Sequence, residues 1–284
     1  MDPIGKALWL IETDLEGRLD LQGIADACGL SRFGLARPFA LATGWPVMRY
    51  ARARRLSRAA ARLAEGARGI LDLALEAGYG SHEAFTRAFR EQFGVTPEAL
   101  RASGRLEGIE LREAMRMQPT TTYPLAEPSF ENGEELLIAG LGERFTFDKS
   151  QGISALWQRF VPWIGKVPGQ QGWETFGLCC NPDDDGGFEY IAGVRVDHIG
   201  ELPPGFTCER LPARRYAVFR HTGHISSIHE TFAAIFQRWL PASGLQAADA
   251  PEFERYSADF DPMAGSGHVE VWVPLCDRAS PVST

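Results

Sequence analysis

The residues of this chain best suited to holding a small molecule stand near its C-terminal end, in Val269-Glu270-Val271-Trp272-Val273. Alternation along a strand would place Glu270 and Trp272 on one side and the valines on the other. A carboxylate beside an indole ring can bind a cation, because the carboxylate supplies charge and the ring face supplies a quadrupole. A carboxylate among apolar neighbours costs stability unless it has a partner. The pattern therefore predicts a binding site for a cationic organic molecule at Glu270.

Polar and basic residues in the first half are spaced for contacts with DNA. Segments 32–42 and 82–93 predict two amphipathic helices, each preceded by a glycine that permits a left-handed turn and a serine that can cap the helix. Such a helix fits the major groove, where the residues of its first turns reach base edges. The predicted DNA-contacting residues are Arg32, Phe33, Ala36 and Arg37 in the first unit and Ser81, His82, Glu83, Thr86, Arg87 and Arg90 in the second.

An internal repeat indicates that these helices belong to two copies of one unit. The motif Ala-x3-Gly occurs at 25–29 and 74–78, and the motif Arg-x-Phe occurs at 37–39 and 87–89. A long arginine-rich helix predicted over 49–63 would join the two copies rigidly. A single chain could then place one helix in each of two successive major-groove faces and read an asymmetric site.

A second repeat organises the other half of the chain. The motif at 157–162 recurs at 236–241, and the motif at 173–176 recurs at 253–256. Together with alternating runs, this predicts a duplicated strand–helix–strand–strand unit that forms one antiparallel sheet with helices on one face. We expect a groove between the two copies, although aromatic residues at such positions often belong to the core. The residues predicted to line this groove with Glu270 and Trp272 are Trp157, Trp173, Phe176, Tyr190 and Tyr256.

Length and composition agree with two globular domains. The chain has 284 residues, 44% of them hydrophobic and 23% charged, and it contains no apolar run of the ~18 residues that a membrane span needs. Five cysteines without a regular framework favour the reducing cytoplasm. Residues 1–112 carry a net charge of +2 and residues 113–284 carry −10, so nucleic acid is a poor partner for the second half.

These patterns predict an all-α double helix-turn-helix domain over 1–105, a linker over 106–125 and an α+β small-molecule-binding domain over 126–279. We expect no metal and no cofactor. The spacing of His221, His224 and His229 is not typical of a metal site, and no phosphate-binding glycine loop is present in the sequence. The acidic run 183–185 predicts a solvated hairpin loop.

The residues from Leu21 to Arg101 resemble the DNA-binding region of the AraC/XylS family of transcription regulators. The resemblance is carried by Ile24-Ala25, Gly29-Leu30-Ser31, Arg37-x-Phe39, Gly78-Tyr79, Arg87-x-Phe89-Arg90 and Thr96-Pro97, among others. It implies base reading at Arg32, Phe33, Ala36 and Arg37 in the first unit and at His82, Glu83, Thr86 and Arg87 in the second. Gly34 and Pro38 depart from the family pattern, so we expect the first recognition helix to be kinked or short and to discriminate less well.

The second half resembles the GyrI-like (SOUL/SHV) effector-binding domain. The motifs include Tyr216-Ala217-Val218-Phe219, Trp239-Leu240-Pro241, Phe253-Glu254-x-Tyr256 and Val269-Glu270-Val271-Trp272. The resemblance implies a sensor for lipophilic, often cationic molecules, with Glu270 as the acidic residue of its pocket.

The sequence thus predicts a transcription regulator that binds double-stranded promoter DNA and senses a small effector, with control through domain orientation or recruitment of RNA polymerase. The alternative is a GyrI-like hydrolase or binding protein whose DNA-binding half has weak specificity. A sensor would release its ligand unchanged, whereas an enzyme would turn the ligand over and lose activity in Glu270→Gln.

Overall fold

The first half of the chain is helical. A computed structural model describes residues 3–14, 19–67, 69–115, 123–146, 152–262 and 264–276, without the side chain of Phe33. The helices are α1 (Pro3–Thr13), α2 (Leu21–Cys28), α3 (Arg32–Thr43), α4 (Val47–Ala64), α5 (Ile70–Glu76), α6 (His82–Phe93) and α7 (Pro97–Ser103). The two predicted helix-turn-helix units are therefore α2–α3 and α5–α6, and α4 joins them as expected.

Capping residues set the limits of both recognition helices. Ser31 accepts a hydrogen bond from the Gly34 amide at 2.9 Å, and Ser81 accepts one from the Ala84 amide at 3.1 Å. Gly44 ends α3 in the left-handed conformation with φ 72°. The shortening predicted for α3 is not observed. Pro38 stands inside a helix of 12 residues, which continues to Thr43.

The segment after α7 belongs to the helical half. Leu106, Ile109 and Leu111 pack against the core between α4 and α6, and the Arg112 amide donates to Ser57 Oγ at 2.9 Å. Residues 106–115, predicted as linker, therefore lie against the helical domain. The part of the predicted linker at 116–122 lies outside the described residues, and Tyr123 already contacts the second half through Thr222.

The second half is one antiparallel sheet of eight strands in the order β1-β6-β8-β7-β3-β4-β2-β5. The strands are β1 (Ser129–Gly133), β2 (Leu136–Thr146), β3 (Gln170–Cys180), β4 (Gly187–Val196), β5 (Phe206–Leu211), β6 (Arg214–His221), β7 (Glu252–Tyr256) and β8 (Val269–Pro274). The helices are α8 (Ile153–Phe160), α9 (Ile228–Ala234) and α10 (Leu240–Ser243), with a π-helical segment at Ile235–Trp239.

The order of the strands confirms the duplication. The copies are β2-α8-β3-β4 and β6-α9-β7-β8, and they meet where β3 pairs with β7. The strand that precedes each copy in the chain pairs with the other copy: β1 precedes β2 but pairs with β6, and β5 precedes β6 but pairs with β2. The two halves of the sheet are thereby linked at the centre and at both edges.

Both helical layers cover the same side of the sheet. One row of paired residues crosses the strands in the order Leu141, Ala192, Gly177, Glu254, Val271 and Phe219. The first two contact the core under α8, and the last two contact the core under α9. We call this side the helix face and the other the far face. Among the described residues, no helix is both long and apolar enough to cross a membrane.

In the helical domain, Glu12 ties α1 to α4. Arg54 donates to both oxygens of Glu12 at 2.7 Å, Tyr50 donates at 2.9 Å and Arg58 at 2.8 Å. Burial raises the pKa of Glu12, but the hydrogen bonds and charges of Arg54, Tyr50 and Arg58 outweigh burial and leave the pKa below its ordinary value. The ionised form is therefore favoured by folding.

Glu12→Gln should lower the free energy of unfolding at pH 7 by about 2 kcal/mol, because it removes charge-assisted hydrogen bonds. A carboxyl whose pKa is depressed in the folded state stabilises the fold above its unfolded pKa, near 4.5, and loses that effect as the pH falls through the folded value. Urea unfolding from pH 7 to pH 3 should show the difference from wild type shrinking below pH 4.5. Glu65→Gln, at an exposed position after α4, is the control. A difference independent of pH would contradict the assignment.

Candidate effector site and DNA-binding surface

The second helix-turn-helix unit presents its recognition helix to solvent. Phe85 and Phe89 anchor the inner face of α6 in the core of the domain, and they lie 5.5 Å apart between ring centroids. Glu83, Arg87 and Arg90 on the outer face are exposed. This surface has the geometry expected of a helix that enters the major groove.

Three other predicted residues of this unit have local roles as well. Ser81 caps the helix, and His82 Nε2 lies 2.9 Å from Glu98 Oε1. Thr86 is half-buried, and its hydroxyl makes no hydrogen bond within the described part of the chain. The exposed cations Arg87 and Arg90 are therefore the strongest candidates for DNA contacts on α6.

The first unit has its recognition helix covered by the second half of the protein. Ala36 is buried and Arg32 is partly buried, while the side chain of Phe33 lies outside the described residues. Leu30, just before α3, packs into the core formed by α9 and strands β6 and β8. A Cβ at Gly34 would lie 3.4 Å from the Ala247 side chain, an ordinary contact distance, so this turn of α3 lies directly against the second half. In this arrangement two of the predicted base-reading positions on α3, Ala36 and Arg37, are largely hidden from solvent.

Arg37 makes the central contact between the domains. Its Nη1 donates to Glu252 Oε1 at 2.8 Å, and its Nη2 lies 3.8 Å from Glu254 Oε1. The guanidinium carbon lies 3.3 Å from the centre of the Phe232 ring on α9. The Arg37 side chain is 15% exposed, and those of Glu252 and Glu254 are 4% and 5% exposed. A cation thus bridges two buried carboxylates and one aromatic face.

The pKa shifts of Glu252 and Arg37 agree with an ion pair between them. Burial raises the pKa of Glu252, and the Arg37 guanidinium opposes that rise. Burial alone would lower the pKa of Arg37, but Cys179, Glu252 and Glu254 raise it by more. Arg37 is therefore a permanent cation in this site.

A second set of contacts holds Glu254. Tyr190 and Tyr256 donate their hydroxyl hydrogens to Glu254 Oε2 at 2.6 and 2.9 Å, and Trp157 Nε1 donates to the Tyr190 hydroxyl at 3.0 Å. Burial raises the pKa of both tyrosines well above the ordinary value, so both phenols keep their protons and serve as donors. We call Glu252, Glu254, Tyr190, Tyr256 and Trp157 the Glu254 cluster.

The sheet positions this cluster at the junction of the two copies. Glu254 on β7 pairs with Gly177 on β3, in the middle of the row that crosses the helix face. A Cβ at Gly177 would lie 2.1 Å from the Tyr190 hydroxyl and 2.6 Å from Glu254 Oε2. Glycine at this position is therefore required for the hydrogen bond between Tyr190 and Glu254 to form.

The seven residues predicted to bind the effector are divided between the two faces. Trp157, Tyr190 and Tyr256 meet in the Glu254 cluster on the helix face. Glu270, Trp272 and Phe176 lie on the far face, as the register of β3, β7 and β8 requires. The Trp173 side chain is 64% exposed.

Glu270 therefore has different partners from those expected. It accepts hydrogen bonds from Trp272 Nε1 at 2.9 Å and from His268 Nε2 at 3.0 Å, and Arg255 lies 3.9 Å away. Its side chain is 23% exposed. Sequence reasoning missed Glu252, Glu254 and Phe232, although the alternation Glu252-x-Glu254-x-Tyr256 on a strand was a usable signal.

The remaining polar candidates have structural partners. His221 lies 2.8 Å from Thr231 Oγ1 and 3.2 Å from the His224 carbonyl. Within the described ranges, no three His, Cys, Asp or Glu residues are grouped so that they could hold a metal ion. The acidic loop predicted to be solvated contacts the helical domain, because Asp185 pairs with Arg52 and Gly186 lies against Pro46.

Comparison with known proteins identifies the class. Residues 126–275 match the family model of the GyrI-like small molecule binding domain, and residues 24–103 match that of a helix-turn-helix domain. The chain belongs to the AraC-type DNA-binding transcription regulators that carry a GyrI-like small-molecule-binding domain.

Two relatives match this chain over more than nine tenths of its length, and a solved structure matches its helical half. The chain is 28% identical to the Right origin-binding protein of Escherichia coli strain K12, over 97% of this chain and 96% of that protein. It is 26% identical to the transcriptional regulator Rob of Salmonella typhimurium, over 91% of each chain. An AraC-type regulator from Chromobacterium violaceum has a solved structure that is 30% identical, with a TM-score of 0.34, over 36% of this chain and 91% of that one.

Gly177→Ala should destabilise the second domain by about 1–3 kcal/mol, because the methyl group displaces Tyr190 or Glu254 from a packed site. Near-ultraviolet circular dichroism should report a changed tyrosine environment, and urea unfolding should report the loss of stability. Gly200→Ala is the control, since its Cβ would meet only the exposed ring of His198. Equal stability of the two variants would show that the cluster does not depend on Gly177.

Proposed function

We propose that α6 supplies the principal sequence-reading contacts with DNA and that the Glu254 cluster binds a lipophilic cation as effector. The observation that supports the DNA part is the contrast between the two recognition helices. The outer face of α6 is exposed with Arg87 and Arg90 upon it, whereas α3 is covered by α9. Arg87 and Arg90 have the chemistry to contact guanine edges or phosphates.

The observation that supports the effector part is the setting of Glu254. Two protonated phenols fix one of its oxygens, and the other oxygen faces a guanidinium. Trp157 and Tyr256 stand beside it with ring centroids 5.0 Å apart, and Phe232 closes the site from α9. A buried carboxylate with aromatic neighbours favours a ligand that combines positive charge with an apolar body.

The activity that fits this site is binding rather than turnover. The relatives that match nearly the whole chain are an origin-binding protein and a transcription regulator. The Tyr190 and Tyr256 hydroxyls both donate to one oxygen of Glu254, and Arg37 faces the other, so the carboxylate is held in a network suited to binding a cation. Effector binding would alter the binding of the regulator to DNA or to RNA polymerase.

Arg87→Ala should weaken binding to duplex from the protein's own upstream region by about tenfold to a hundredfold, the range for one base-reading contact, and should reduce the preference over random duplex. Fluorescence anisotropy across a salt series measures both effects. Arg195→Ala removes the same charge from an exposed position on β4 and is the matched control. If both variants lose affinity equally, or if neither does, α6 does not read the site through Arg87.

Glu254→Gln should weaken binding of biphenyl-4-carboxamidinium by at least tenfold, because it removes the buried charge that faces the cation. The neutral amide biphenyl-4-carboxamide should bind much more weakly than the cation to the wild-type protein. Glu270→Gln is the matched control, and calorimetry measures all three. Loss of binding in Glu270→Gln with retention in Glu254→Gln would move the effector site to the far face.

A further inference from the structure

Arg37 stands in the position that a cationic effector would occupy. The proposed effector site needs a positive charge beside Glu254, and the structure already supplies one from α3 in the other domain. The same residue is predicted to read bases when α3 lies in the major groove. Arg37 therefore has two competing sets of partners, one in the protein and one in DNA.

The contact opposes the release of α3, because release would leave two buried carboxylates without a cation. Glu252 and Glu254 are both buried, and among the described residues Arg37 is the cation that neutralises them at ion-pair distance. Removing a cation from two buried carboxylates is unfavourable unless another cation replaces it. A further polar bridge between the domains, Arg52 with Asp185, is exposed and contributes little.

The shape of the space limits the chemistry of a replacement. The guanidinium of Arg37 stacks at 3.3 Å on the Phe232 ring while it donates to Glu252 on its edge. A planar amidinium or guanidinium reproduces both contacts. A quaternary ammonium is thicker and has no N–H to donate to Glu252.

Resting on the proposed function, we propose that Arg37 is a tethered internal ligand of the effector site, and that a planar aryl amidinium or guanidinium displaces it and frees α3 for DNA. Effector binding and the use of α3 in DNA binding then favour each other. The first unit is then a regulated half of the DNA-binding surface.

The first test compares binding of biphenyl-4-carboxamidinium to wild type and to Arg37→Ala by calorimetry. Removing the internal competitor should tighten binding about tenfold or more, within the usual range of coupling between sites. The compound with a trimethylammonium group on the same biphenyl should bind both proteins more weakly. Unchanged or weaker amidinium binding in Arg37→Ala would overturn the proposal, because Arg37 would then be only a structural bridge.

Chemical rescue keeps the test decisive if Arg37→Ala folds poorly. Methylguanidinium should raise the unfolding temperature of Arg37→Ala by more than it raises that of wild type, because it fills the vacated site. Arg52→Ala, which removes the exposed bridge, is the control and should show no such gain. Equal shifts in the three proteins would overturn the proposal.

Hydrogen exchange on the wild-type chain distinguishes displacement of Arg37 from amidinium binding at Glu254 alone. Saturating amidinium should speed exchange of the amides of α3 and leave those of α6 unchanged, because only α3 is released. Amidinium binding that depends on Glu254 but leaves α3 protected would retain the proposed effector site and refute displacement of Arg37. Failure of the amidinium to bind either wild type or Arg37→Ala would overturn both.

Discussion

The arrangement of the two domains depends on one buried ion pair between Arg37 and the carboxylates of Glu252 and Glu254. Two carboxylates placed on alternate positions of β7 would repel each other on the helix face if no cation were near. Removing one partner of such a pair typically costs about 3–5 kcal/mol, which is a large share of the stability of a domain. The pair therefore holds α3 against α9, beside the apolar contact of Leu30 with the core under α9.

The same interaction connects the ligand-binding and DNA-binding halves physically. Glu254 is held by Tyr190 and Tyr256 at the centre of the duplicated sheet. Its second oxygen faces Arg37 of the other domain, so a ligand that replaced Arg37 there would change the domain interface. Under the proposed function, Arg37 is the shortest possible link between the two sites, since one side chain serves both. Coupling of this kind needs no chain of intermediate residues, only a choice between two partners of similar charge.

The fold was largely predictable from the sequence because both halves repeat a unit with strong local signals. Serine caps and left-handed glycines set the limits of α3 and α6, and the repeat around 173–176 and 253–256 predicted the two copies of the sheet. The exchange of β1 and β5 between copies was not predictable, because strand pairing depends on contacts between residues distant in the chain. The continuation of α3 through Pro38 was not expected, because proline removes a backbone hydrogen bond inside a helix.

The candidate site was predicted in part. The expectation that Trp157, Tyr190 and Tyr256 lie in the groove depends on the duplication, and these residues do meet. Glu270 was chosen because its apolar neighbours in the sequence suggested burial, and Glu254 was not considered as a site residue. In the sheet, Glu270 lies on the far face beside His268 and Arg255, while Glu254 is the buried carboxylate. The contact of Arg37 with Glu252 could not be predicted from the sequence, because an arginine at this position is equally suited to bind DNA.

The central claim is that Arg37 contacts either the effector site or DNA, but not both at once. Effector binding and DNA binding must then be coupled, and this coupling can be measured directly. The affinity of biphenyl-4-carboxamidinium should be measured by calorimetry for the free protein and for its complex with duplex from the upstream region. The account predicts that DNA tightens amidinium binding, and by the same factor by which the amidinium tightens DNA binding. Equal amidinium affinity for the free and the DNA-bound protein would contradict it.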